Sequence, residues 1–133
     1  MKKIIYIILI NLILLNTVFN QQNKYKVTDS KKQALIQAKS LEKSGLIKEA
    51  TNIYLQLLNN KTYIDEAFIA LKNIYINDKD YDALTNITDQ YLNLNSNNKL
   101  INVLDVYIIN DDVNNLDRTI NQILIEQKND KGI

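Results

Sequence analysis

The chain has 133 residues, 46% of them hydrophobic and 23% charged, with 2 Gly and no Pro, Cys, His or Trp. Without Cys there is no disulfide framework, thiol nucleophile or iron–sulfur cluster; without His there is no imidazole base and no ordinary zinc site. The scarcity of Gly and Pro argues against a turn-rich all-β fold, and 16 Lys+Arg against 15 Asp+Glu, scattered along the chain, lack the basic concentration of a nucleic-acid binder.

The first predicted element is a targeting segment. Met1-Lys2-Lys3 precedes an apolar run from Ile4 to Leu15, a positive end followed by a short greasy stretch. That is the pattern of a secretory signal peptide over 1–20, shorter than the roughly 20 apolar residues that span a bilayer. No small-x-small cleavage site follows; the best candidate is Val18-Phe19-Asn20, with the cut before Gln21. Cleaved, the chain is exported to the periplasm or the cell surface, or secreted. Uncleaved, Met1 to Phe19 anchors it at the inner membrane, and the leading lysines keep that end cytoplasmic. Removing Lys2 and Lys3 with this segment leaves 14 basic against 15 acidic residues. Residues 21–28 (QQNKYKVT) are polar and aperiodic and read as a flexible linker.

From Asp29 to Ile133 the apolar residues recur three and four apart, which predicts six amphipathic helices. Their stripes are Ala34, Ala38 and Leu41; Ile53, Tyr54, Leu57 and Leu58; Phe68, Leu71 and Tyr75; Leu84, Ile87, Tyr91 and Leu94; Leu100, Val103, Leu104 and Tyr107; and Leu116, Ile120, Ile123 and Leu124. The breaks are polar, from Ser44-Gly45 to Asn110-Asp111-Asp112. Asp29 or Ser30, Thr62, and Asp111 or Asp112 are expected to cap helix starts. Gly45 suits a left-handed helix end.

The helices pair, and the pairs repeat. Ala50, Ala83 and Leu116 are spaced by 33 and 33, as are Tyr54, Ile87 and Ile120, and Leu58, Tyr91 and Leu124. Leu41 to Tyr75 is 34 residues and Tyr75 to Tyr107 is 32. A fixed period of this size predicts stacked units, each too small to bury its own apolar face. Ala38, Ala50 and Ala83 are expected where helices approach closely, with Tyr54, Phe68, Tyr75, Ile87 and Tyr107 filling the space beside them.

These residues resemble the tetratricopeptide repeat, in which a helix carrying large-x2-Leu-Gly-x2-Tyr is followed by one carrying Ala-x3-aromatic. Phe68, Leu71 and Tyr75 match the first helix, with Lys72 standing where a small residue is expected. Gly45-Leu46-Ile47-Lys48-Glu49-Ala50 resembles the family turn, and either Ala83 or Leu84 takes the Ala position of the second unit. Three units result, about 30–61, 62–95 and 96–128, the third the most degenerate. The resemblance implies an all-α, right-handed α-solenoid (superhelix) of three antiparallel helix pairs.

It also implies a concave face that binds a protein or peptide partner. The groove positions transfer to Leu35, Lys39 and Glu42; to Ile69, Asn73 and Ile76; and to Ile101, Asp105 and Ile108. These lie off the packing stripes and are expected to face outward. The family's clamp for a terminal carboxylate is not expected, because Leu35, Ala70, Asn98 and Asn102 occupy most of its sites. A second expectation is self-association. Repeat arrays end in a polar capping helix, and no such helix follows Leu124-Ile125-Glu126-Gln127-Lys128, so residues near Val113, Ile120 and Ile125 are left for a second copy, and a homo-oligomer is the alternative function.

Catalysis is not expected. Asp78-Lys79-Asp80-Tyr81-Asp82 invites comparison with a calcium loop, but Ala83 and Asp89 stand where that loop needs Gly and Glu. The Ser and Thr residues have no His or evident Lys partner, and there is no Gly-rich phosphate loop. No enzyme, cofactor or metal is predicted.

Overall fold

The three-and-four spacing is realised as helix throughout the computed structural model, which describes residues 30–130; the signal-peptide and linker expectations lie outside these described residues. Among the described residues there is no strand. Helix α1 covers 30–43, followed by α2 (Ile47–Asn59), α3 (Ile64–Asp78), α4 (Tyr81–Leu92), α5 (Lys99–Asn102), α6 (Leu104–Ile109) and α7 (Val113–Asp130). α2 packs on α3, α3 on α4, and both α3 and α4 touch α5; α4 also reaches α6, and α5 and α6 pack on α7. Contacts therefore run between elements near each other in the chain, as in a repeat-like array.

The core is a single cluster contributed by α1 to α4, Val103 and α6. Buried positions repeat along the chain: Leu35 and Ala38 in α1, Phe68, Leu71 and Ile74 in α3, Leu100 in α5, Val103 between α5 and α6, and Val106 in α6. Leu35, Phe68 and Leu100 are 33 and 32 residues apart. Ala38, Ala50 and Ala67 are fully buried and allow close helix approach, and Tyr54, Phe68 and Tyr91 fill the gaps between them. The Phe68 and Tyr91 rings stack with centroids 3.9 Å apart. Tyr75 and Tyr107 are half-buried at the rim of the core. At the position left open between Ala83 and Leu84, Leu84 is fully buried and Ala83 only partly so.

The turns that follow α1, α3 and α6 are the same. Gly45, Lys79 and Asp111 all have positive φ, at 78°, 56° and 53°. In each, the next amide reaches back over the helix end: Leu46 N–H to the Leu41 carbonyl (2.9 Å), Asp80 N–H to Tyr75 (2.9 Å) and Asp112 N–H to Tyr107 (2.8 Å). This is the Schellman closure, which satisfies carbonyls that the helix leaves unpaired. The turn between α2 and α3 repeats it with Lys61, φ 52°, and Thr62 N–H to the Leu57 carbonyl (2.9 Å).

Capping meets the expectation at α7, departs from it at α3, and adds a cap at α4 that was not expected. The Asp80 carboxylate accepts from Ala83 N–H (3.1 Å) at the start of α4, and Asp112 accepts from Asn115 N–H (3.1 Å) at α7. Thr62 does not cap α3; its hydroxyl donates to the Asn60 carbonyl, and Tyr63 opens the helix from a left-handed conformation without a side-chain cap. The expected last-but-one helix is broken at Val103 into α5 and α6. In α7 the expected stripe is turned: Thr119 is its buried residue, while Ile120 and Leu124 are 41% and 50% exposed.

Candidate interaction surface

Two polar networks join elements about one period apart. In the first, Lys72 is buried on α3 and its ammonium donates to Asp105 Oδ2 (2.7 Å) and Oδ1 (2.9 Å) and to the Asn102 carbonyl (3.0 Å). The third bond explains the helix break. In a regular helix the Asn102 carbonyl would accept from Val106 N–H, but Val106 N–H goes to the Val103 carbonyl instead (3.1 Å). The freed carbonyl is taken by Lys72. The lysine stem packs within the core, with its ammonium 5.8 Å from the centre of the Phe68 ring. Lys72 is therefore a tie from α3 to the segment of α5 and α6.

The second network centres on Asp65 at the start of α3. Its carboxylate accepts from the Tyr91 hydroxyl (2.7 Å), the Ser96 hydroxyl and the Asn98 amide (3.2 Å). The Tyr91 hydroxyl also accepts from Asn102 Nδ2 (2.7 Å). Burial pushes the Asp65 carboxyl upward, but the bonds from Ser96, Tyr91 and Asn98 outweigh it and hold the group below its ordinary value. Burial, reinforced by the hydrogen bond to Asp65, pushes the Tyr91 hydroxyl up despite the opposing bonds from Ser96 and Asn102. Burial likewise pushes up Tyr54, whose hydroxyl donates to Glu42 Oε2 at 2.7 Å. Among the described residues no buried side-chain nitrogen or oxygen lacks a partner. These networks hold helices together.

The outward positions expected from sequence divide into three groups. Ile69, Ile101 and Ile108 are 39%, 58% and 63% exposed, and Lys39 and Asn73 are also exposed. Glu42 and Asp105 face out in part but are engaged, by Tyr54 and Lys72 respectively. Ile76 is half-buried against the core, and Leu35 is 7% exposed and belongs to the core, contrary to its expected outward placement. The physical reason is register. The buried residues of α1 and α3 are 33 apart, so Ile36, and not Leu35, is the equivalent of Ile69.

With that shift, Ile36, Ile69 and Ile101 form a row of exposed isoleucines at intervals of 33 and 32, Ile36 being 50% exposed. Ile36 opens onto a depression of about 320 Å³ shared with Lys39, Ser40 and Lys43. Ile36 was legible as the residue one period before Ile69; the family transfer, at an interval of 34, passed over it. Asp78, Asp80 and Asp82, at the turn from α3 to α4, are exposed, and Asp80 serves as the α4 cap. No helix among the described residues is long and apolar enough to cross a membrane. No family model, curated protein or solved structure matches the chain.

Proposed function

We propose that the chain is an exported, tetratricopeptide-repeat-like module that binds a helix or extended peptide of a protein partner along the first helices of its three units. In this reading the pairs stack as a right-handed solenoid, the exposed row lines its concave side, and the segment 1–20 directs export. The observation that carries the proposal is the row Ile36, Ile69 and Ile101, one exposed isoleucine per unit at the period of the fold. Exposed aliphatics in register suit an amphipathic partner whose apolar stripe spans the units. Lys39 and Lys43 beside Ile36 favour acidic residues at that end of the partner. The fixed frame of α1 to α6 presents the row at small ordering cost.

The test is capture from cell-envelope extract on the full chain and on its Ile69→Lys/Ile101→Lys variant. A defined protein retained by the first and lost by the second, at equal helical circular dichroism, is the expected result. Identical capture by both removes the row as the binding surface. Export is checked separately by fractionation and by the mass of the mature N-terminus, where the expected cut lies before Gln21.

A further inference from the structure

Helix α7 buries little of itself. Of its 18 residues, from Val113 to Asp130, Thr119 is the one below a tenth exposed among those described. Asn115, Leu116, Thr119 and Ile123 turn toward α5 and α6, and Glu126 shares a cleft with Lys99 and Leu100. The opposite side carries Val113, Asp117, Ile120, Leu124 and Lys128, spaced as one strip of a helix. Val113, Ile120 and Leu124 are 57%, 41% and 50% exposed, with Ile125 at 59% on its flank. A helix this long draws its stability mainly from a covered apolar face, so the strip wants a cover.

The charges say what kind. Asp117 lies in the first half of the strip and Lys128 in the last turn, both exposed and neither in an ion pair among the described residues. A second α7 laid alongside in parallel would set Asp117 against Asp117. Laid antiparallel, it sets Asp117 beside Lys128 of the other copy, twice by symmetry, and in that register Ile120 meets Leu124. The helix dipoles also oppose favourably in this arrangement. We propose that α7 pairs with α7 of a second copy in this antiparallel, two-fold register. The interface is independent of the isoleucine row on the first helices, so either can fail without the other.

A pair of helices about 27 Å long covers less than the roughly 1,200 Å² of a stable standard interface, so the pairing is a weak one. Sedimentation equilibrium of the full chain up to about 1 mM reaches weak association. Leu124→Lys should weaken association about 100-fold or more, because it places a charge at both copies of the apolar centre. Asp117→Lys and Lys128→Asp should each weaken it roughly tenfold, and the combined Asp117→Lys/Lys128→Asp chain should return close to the parent.

The chain has no Cys, so introduced ones report without background. Asn121→Cys lies near the two-fold axis and should cross-link with a short bismaleimide. Val113→Cys, about 28 Å from its symmetry mate along the axis, should not. A parent monomeric throughout, association that persists in Leu124→Lys, or a combined charge swap as weak as either single change would each overturn the proposal. Far-UV circular dichroism on every variant separates loss of pairing from loss of fold, and recovery in the combined swap cannot arise from unfolding.

Discussion

The first four helices and the last three have the same period but are built differently. α1 to α4 hold the large buried aromatics, Tyr54, Phe68 and Tyr91, together with the buried alanines. α5 to α7 have smaller buried residues, Leu100, Val103 and Val106, a helix interrupted at Val103, and a long helix with a single buried threonine. Beyond the shared core at Val103 and Val106, the halves are joined by polar ties: Lys72 to Asp105 and Asn102, and Asp65 to Ser96 and Asn98. In a repeat array each unit borrows stability from its neighbour. The second part therefore depends on its ties to the first, and the first does not depend equally on the second.

The largest expected effect breaks the comparison at its strong side. Phe68→Ala removes a fully buried ring stacked on Tyr91 and should cost about 3–5 kcal/mol. A loss of that size approaches the whole stability of a small domain. Chemical denaturation should then show no folded baseline, in either half. A two-step transition in the parent, the weaker step absent after truncation of α7, would show instead that the halves unfold separately.

The ties come next. Lys72→Met leaves the Asn102 carbonyl without its donor and Asp105 without its partner, at a cost of about 2 kcal/mol. Because Asp105 is half-exposed, Asp105→Ala should cost less, about 1 kcal/mol. A double-mutant cycle measures the coupling between them, and hydrogen exchange of the α5 and α6 amides should quicken more than that of α2. Asp65 provides a pH test of the other tie. Its carboxyl titrates lower in the folded chain than in the unfolded one. The stability it contributes is complete above the ordinary carboxylate value and disappears as pH falls through the folded one. Urea midpoints taken from about pH 5 down to about pH 2 should therefore fall more steeply for the parent than for Asp65→Asn.

Much of this was legible in the residues, for reasons that differ by element. The helices of the first two units follow from apolar residues three and four apart, because one face had to be buried. The period survives because each turn must return the chain to the same neighbour. Single-residue register was not legible in α1, where Leu35 and Ile36 are adjacent aliphatics and either could face in. The same ambiguity turned the α7 stripe: Thr119 packs inward while Ile120 faces out, against the preference of their chemistry. Lys72 read as a misfit at a small-residue position, since its partners lie 30 and 33 residues away. The break at Val103 had no local signal for the same reason. No proline or glycine marks it, and its cause is an ammonium from another helix.

The three equivalent turns offer the smallest and sharpest comparison, because one conformation is held by three different residues. A left-handed backbone costs a side-chain-bearing residue roughly 1 kcal/mol relative to glycine. Gly45, with open space around its Cα, meets that demand without strain, and Gly45→Ala should lose about 1 kcal/mol through the backbone alone. Lys79 and Asp111 carry the strain at the same place in the second and third units. Lys79→Gly and Asp111→Gly should each raise the denaturation midpoint, by up to about 1 kcal/mol less the entropy that glycine adds to the unfolded chain. If the units are equivalent, Lys79→Gly should stabilise the chain by an amount close to that lost in Gly45→Ala. If the third unit is held only through its ties, Asp111→Gly should stabilise less than Lys79→Gly, since strain relieved in a part that opens early is not felt in the global transition.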